Sequence, residues 1–106
     1  MVTEIIRYLV TDGKEAEFET AYARAAEILD ASPFCLNYKL ARSLRETNRY
    51  LLLIEWESVS AHLEGFRKSA EFGEFFRLVK PYYRMLEEME HYEATAVKSA
   101  DQALAR

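Results

Sequence analysis

Few side chains in this 106-residue sequence can do chemistry: two imidazoles, His62 and His91, one thiol, Cys35, and one indole, Trp56. His62 lies in the stretch IEWESVSAHLEGF, residues 54–66, just after the tryptophan. A neutral imidazole offers one donor and one acceptor, and an unperturbed pKa near ~6.5 suits removal of a proton from a phenol or hydroquinone. The same ring could instead be a core histidine bonded to a backbone carbonyl, or help to start a helix. His62 and His91 show no HxH or HExxH spacing and no neighbouring cysteine, and the sequence points to no Asp or Glu that would complete a ligand set, so no metal is expected. The acidic run EEMEHYE, 87–93, reads as the solvated edge of a strand with its charges divided between two faces. Three glycines cannot build a phosphate-cradling loop. Cys35 has no CxxC partner and reads as a half-buried thiol in a reducing, cytoplasmic setting.

Aromatic residues carry more information. Tyr8, Tyr22, Trp56, Phe66, Phe72 and Phe76 fall on elements that should face one another. Each alone is ordinary core material. Together, with a polar group such as His62 among them, they would wall a pocket for a flat aromatic or hydrophobic molecule.

The elements that must position these residues follow from hydropathy patterning. VTEIIRYLV, 2–10, is rich in β-branched types and ends at Thr11-Asp12-Gly13, which predicts a strand and a turn. Asp12 and Glu15 form an Asp-x-x-Glu variant of the capping box. Phe18, Ala21, Tyr22, Ala25, Ile28 and Leu29 then follow at helical spacing until Ser32-Pro33 stops the helix. Residues 34–42 and 49–57 predict two strands around a turn at 45–48. Ser58 or Ser60 would cap a short helix with Val59, His62, Leu63 and Phe66 on its apolar stripe. Ser69 would cap a second, striped by Phe72, Phe75, Phe76 and Val79 and ended by Pro81. Residues 84–97, RMLEEMEHYEATAV, predict a last strand, making 1–97 the folded domain and 98–106 a polar tail.

The order βαββαβ predicts an α+β, ferredoxin-like fold, an antiparallel sheet with its helices on one face. In the third strand Leu52, Ile54 and Trp56 point one way while Leu51 and Leu53 point the other, so both faces are apolar although helices can cover only one. An uncovered apolar sheet face predicts a homodimer with sheets packed face to face, a dimeric α+β barrel. A net charge of -4 argues against nucleic acid, and no run reaches the ~20 apolar residues of a membrane span.

LLLIEWESVSAHLEGFRKSAEF, together with GKEAEFE in the first helix and the hairpin before RYLLL, resembles the antibiotic-biosynthesis monooxygenase family from the first strand to about Val97. The resemblance implies a small dimeric α+β barrel. Some members oxidise polycyclic phenols or quinols with molecular oxygen and no metal or flavin, others degrade haem. On the phenol-oxidising pattern no cofactor is expected, His62 would be the base, and Trp56 and Phe66 would stack on the substrate ring. The haem-degrading branch uses Asn, Trp and His. Aligned with one extra residue in this chain, it meets Phe66 and Phe76 in place of that Trp and His, and the first strand has no Asn. The expected function is a cofactor-independent monooxygenase of a small phenol or quinol; the alternative is a non-catalytic barrel that holds a small hydrophobic ligand. An enzyme needs an open cavity with His62 at its wall, whereas the alternative could fill that volume with Phe and Tyr side chains.

Overall fold

A computed structural model describes residues 1–99. The chain runs β1 (Val2–Leu9), α1 (Glu15–Ala31), β2 (Cys35–Arg42), β3 (Arg49–Trp56), a π-helical turn (Ala61–Phe66), α2 (Phe72–Val79), a 3-10 segment (Lys80–Met85) and β4 (Leu86–Tyr92). The four strands form one sheet in the order β2-β3-β1-β4, every pair antiparallel. This is the ferredoxin-like α+β fold.

Strand parity decides what each face sees. On β1 and β3 the even-numbered residues Val2, Glu4, Ile6, Tyr8 and Tyr50, Leu52, Ile54, Trp56 are buried beneath the helices. α1 brings Phe18, Tyr22, Ala25 and Leu29 down onto them. Phe18, fully buried, sits among Tyr8, Tyr22, Tyr50 and Tyr82 with ring centroids 4.8–5.2 Å away. Burying such a ring contributes roughly 1.5–3 kcal/mol. The opposite face carries Ile5, Leu51 and Leu53, which no helix covers and which are only half-buried.

Three expected local details differ. Asp12 does not cap α1: its carboxylate is taken by Asn48 Nδ2 (3.2 Å) from the β2–β3 turn, and the helix begins at Lys14 without a side-chain cap. The Glu15 carboxylate accepts instead from Gly13 N–H (2.8 Å), two residues back, in a turn that needs the left-handed φ of +89° at Gly13. Ser69 does not cap α2 either, because its hydroxyl donates back to the Phe66 carbonyl (2.7 Å). Ser58, in contrast, accepts from Ala61 N–H (2.9 Å) and caps the turn that carries His62.

The third difference is the winding of that turn. Arg67 N–H bonds the His62 carbonyl at 3.0 Å, a five-residue step. The wider turn keeps His62 and Phe66 buried, whereas Val59 and Leu63, expected on the same stripe, are 42% and 36% exposed. The last strand is shorter than the expected 84–97: residues 84 and 85 belong to the 3-10 segment, and β4 ends at Tyr92. Of the expected polar tail, residues 100–106 lie outside the described residues.

Candidate active site

Between the sheet and the second helical layer is a cavity of about 320 Å³, at the lower end of the ~300–1,000 Å³ usual for small-molecule sites. Its walls come from β1 (Glu4, Ile6, Tyr8), α1 (Tyr22), β3 (Ile54, Trp56), the π turn (His62, Phe66), Arg67, α2 (Phe72, Phe75, Phe76) and the approach to β4. All seven residues singled out from the sequence, His62, Trp56, Phe66, Phe72, Phe76, Tyr8 and Tyr22, stand on this one wall. Phe66 packs edge to face against both Phe72 and Phe75, and Phe72 stacks on Phe75 at 6.2 Å and on Phe76 at 5.8 Å. Aromatic walls of this kind match the faces and edges of a flat ring system.

The polar end of the cavity is built around His62, which is 5% exposed. Trp56 lies flat against it, centroids 4.4 Å apart and planes 9° from parallel, so one face of the indole is already occupied. The indole N–H of Trp56 donates to Glu4 Oε1 at 3.0 Å. That same oxygen is 3.7 Å from His62 Nε2, and on the other side of the ring His62 Nδ1 is 2.8 Å from His91 Nε2. Burial is the main cause that pushes His62 down to about 4, with Arg67 and His91 adding to it. Burial also raises the Glu4 carboxyl, opposed by the Trp56 hydrogen bond and by His91 and Arg67. His62 is therefore a neutral imidazole at physiological pH, able to accept a proton through one nitrogen.

The π turn explains the company His62 keeps. In an α-helix, residues five apart diverge around the axis, but a five-residue step brings them onto one side. Arg67 consequently lines the cavity with His62 and sets a cation beside it. Farther along β1, the hydroxyls of Tyr8 and Tyr22 bond each other. Burial holds Tyr8 up at about 12 and Tyr22 well above its usual value, so both remain neutral hydrogen-bonding groups. Cys35 is remote from these walls, and burial pushes its thiol up to about 11, which makes it a poor nucleophile.

Sequence reasoning missed Glu4, His91 and Arg67. Glu4 had a legible signal, an acid at the buried parity of an apolar strand. His91 had none: its place depends on the β1–β4 register, which sets it opposite Glu4, and it departs from the solvated edge expected for its acidic neighbours. Glu4 also corrects the expectation that no carboxylate would approach the histidines, since Glu4, His62 and His91 each bring a ligand-type atom within 4.8 Å of the others. His62 stands between the other two, one nitrogen 3.7 Å from Glu4 Oε1 and the other 2.8 Å from His91 Nε2, and the three groups form one compact cluster at the polar end of the cavity.

Comparison with known proteins gives a consistent picture. The family described as antibiotic biosynthesis monooxygenase matches residues 1–78. YczJ of Bacillus subtilis, an uncharacterised protein, is 37% identical over 93 residues, spanning 88% of this chain and 98% of its own. A solved structure of an antibiotic biosynthesis monooxygenase from Bordetella bronchiseptica superposes with a TM-score of 0.73 at 33% identity, covering 89% of this chain and 96% of the other. SnoaB of Streptomyces nogalater, a cofactor-independent oxygenase, superposes with a TM-score of 0.70 at 25% identity, covering 93% and 95%.

Proposed function

The chain belongs to the antibiotic biosynthesis monooxygenase family, and from that membership and the geometry of the cavity we propose that it is a cofactor-independent monooxygenase of a small phenolic or quinol-type aromatic compound. The observation that carries this reading is a neutral, buried imidazole at the wall of an open aromatic cavity. His62 Nε2 takes the proton of the substrate hydroxyl, and Trp56, Phe66, Phe72 and Phe76 hold the ring. The neutral hydroxyls of Tyr8 and Tyr22 orient its polar substituents. Arg67 stabilises the negative charge that appears first on the phenolate and then on reduced oxygen. The desolvated phenolate gives its electrons to molecular oxygen, and the peroxide formed on the ring carbon breaks at its O–O bond as that carbon loses its C–H proton, leaving a carbonyl and a water made with that proton and the one taken from the hydroxyl.

Two copies joined through the sheet face of Ile5, Leu51 and Leu53 complete the proposed assembly. Among the described residues no helix is long and apolar enough to cross a membrane, and an unpaired, half-buried cysteine supports a cytoplasmic location. A second reading, a barrel that binds a hydrophobic aromatic without turning it over, draws support from the depressed basicity of His62. Oxygen uptake with menadiol and anthrone separates the two. The monooxygenase reading expects uptake that falls 10²–10⁴-fold in His62→Ala, the usual worth of a general base. Full turnover by His62→Ala removes His62 from the mechanism, and tight binding of both probes with no uptake leaves the binding protein.

A further inference from the structure

We propose that His91 is the positioning residue for His62, and that the two imidazoles together relay the substrate proton from the enclosed cavity to solvent across the β4 edge of the sheet. The inference rests on the reading of His62 as the base.

Geometry is the first support. The facing nitrogens are 2.8 Å apart while the ring centroids are 5.0 Å apart, so the difference is taken up by the two ring radii and the nitrogens point at one another. This is the in-line contact a proton crosses. The second support is location. His62 lines the inner cavity and His91 does not; His91 instead lines an outward depression with Val2, Glu57, Ser58 and Glu93. The pair therefore joins two separate surfaces. Register fixes the arrangement, since β4 holds His91 opposite Glu4 on the helix-facing side and the π turn lowers His62 onto both.

Energetics gives the third support. His62 is held at about 4 by burial and the nearby Arg67, so alone it would keep a phenol's proton only briefly. Passing the proton to the half-exposed His91 carries it out of the buried layer to the depression that His91 shares with Glu57 and Glu93. The groups facing the pair are Glu4 from β1, Arg67 after the π turn and those two outer carboxylates.

The proton count closes. The substrate O–H proton goes to His62 Nε2, the His62 Nδ1 proton goes to His91 Nε2, and the His91 Nδ1 proton goes to water. When the ring peroxide breaks, the C–H bond of the same ring carbon breaks with the O–O bond and its electron pair forms the carbonyl; the distal oxygen leaves as water with that C–H proton and one proton that returns along the same path in reverse, restoring both starting tautomers. Oxygen, the oxidant, is the co-substrate already named.

Two variants separate positioning from relay. His91→Gln keeps a polar group opposite His62 Nδ1 but cannot pass a proton through, whereas His91→Phe removes both functions. With folding verified by thermal melting, His91→Gln is expected to bind menadiol or anthrone as the parent does and to turn over about 10–100-fold more slowly, at the lower end of the range for proton-transfer catalysis. Imidazole added to the buffer should restore part of that rate. Wild-type turnover in His91→Gln beside an inactive His62→Ala overturns the relay and leaves the base standing. Wild-type turnover in both variants removes the base and the relay together. The relay also has a readout free of turnover: imidazole ¹⁵N spectra should show neutral His62 protonated at Nδ1 in the parent and redistributed in His91→Phe. Protonation at Nε2 in the parent, or cobalt(II) uptake with visible bands that vanish in either histidine variant, overturns it by making the cluster a donor chain to Glu4 or a chelate.

Discussion

Glu4 and His62 resist charge for the same reason, burial, yet they push stability in opposite directions with pH. The His62 folded-state value of about 4 lies below its ordinary 6.5. Its contribution is complete above pH 6.5 and is lost as pH falls toward 4. Glu4 is raised above 4.5, so the protonated carboxyl favours the fold at low pH and that contribution fades as pH rises through its raised value. Glu4→Gln keeps an oxygen for the Trp56 N–H and removes the ionisation. It should raise the melting temperature at pH 7, with the gain shrinking as pH approaches 4.5, and it should expose the acid loss due to His62 between pH 6.5 and 4. Melting curves from pH 4 to 8 check both signs, and a Glu4→Gln variant less stable than the parent at pH 7 would show that the carboxylate is stabilising there. Of this residue-scale chemistry the sequence disclosed the inward turn of His62, through Phe66 four residues on. It could not disclose the Glu4–His62–His91 cluster, because β1, the π turn and β4 meet only through strand register.

At the scale of elements, the π turn decides the site and tolerates little. A Cβ built on Gly65 would fall 2.7–2.8 Å from three ring carbons of Phe34, which packs over the turn from the α1–β2 connection. Contacts that short force a neighbour to move, and overpacking of this kind costs about 1–3 kcal/mol. Gly65→Ala is therefore expected to lower stability by that amount, and Phe34→Leu in the same chain should recover part of it; a double-mutant cycle in denaturant measures the coupling. Strictly additive effects would mean that the two residues do not press on each other. The strands and α1 were legible from alternation and helical spacing, as was the stop at Ser32-Pro33. The caps were harder to read, since Asp12 and Ser69 each had another partner in space, Asn48 and the Phe66 carbonyl.

At the scale of the whole molecule, the two faces of the sheet divide the work. The even-numbered residues of β1 and β3 build the cavity, while Ile5, Leu51 and Leu53 leave an apolar strip among Arg7, Lys39, Glu55 and Glu88 on the bare side. A strip of that composition on a four-stranded sheet matches the core and rim of an interface between identical chains, and a two-fold axis through β1 and β3 would place it against itself. This was readable from sequence because parity along LLLIEW puts leucines on both faces and the helices number only enough for one. The central charge-bearing substitution Leu53→Asp would set two carboxylates near the axis of such a pair. Sedimentation at micromolar concentration is expected to give a dimer for the parent and a monomer for Leu53→Asp, with helical content retained in both. Because the cavity lies on the helix-covered side of the sheet, opposite the face of Leu51 and Leu53, the monomeric variant should still bind menadiol, with affinity within about tenfold, a shift of ~1.4 kcal/mol. A parent that sediments as a monomer removes the face-to-face assembly; a monomeric Leu53→Asp that no longer binds would mean that the partner shapes the cavity through the sheet.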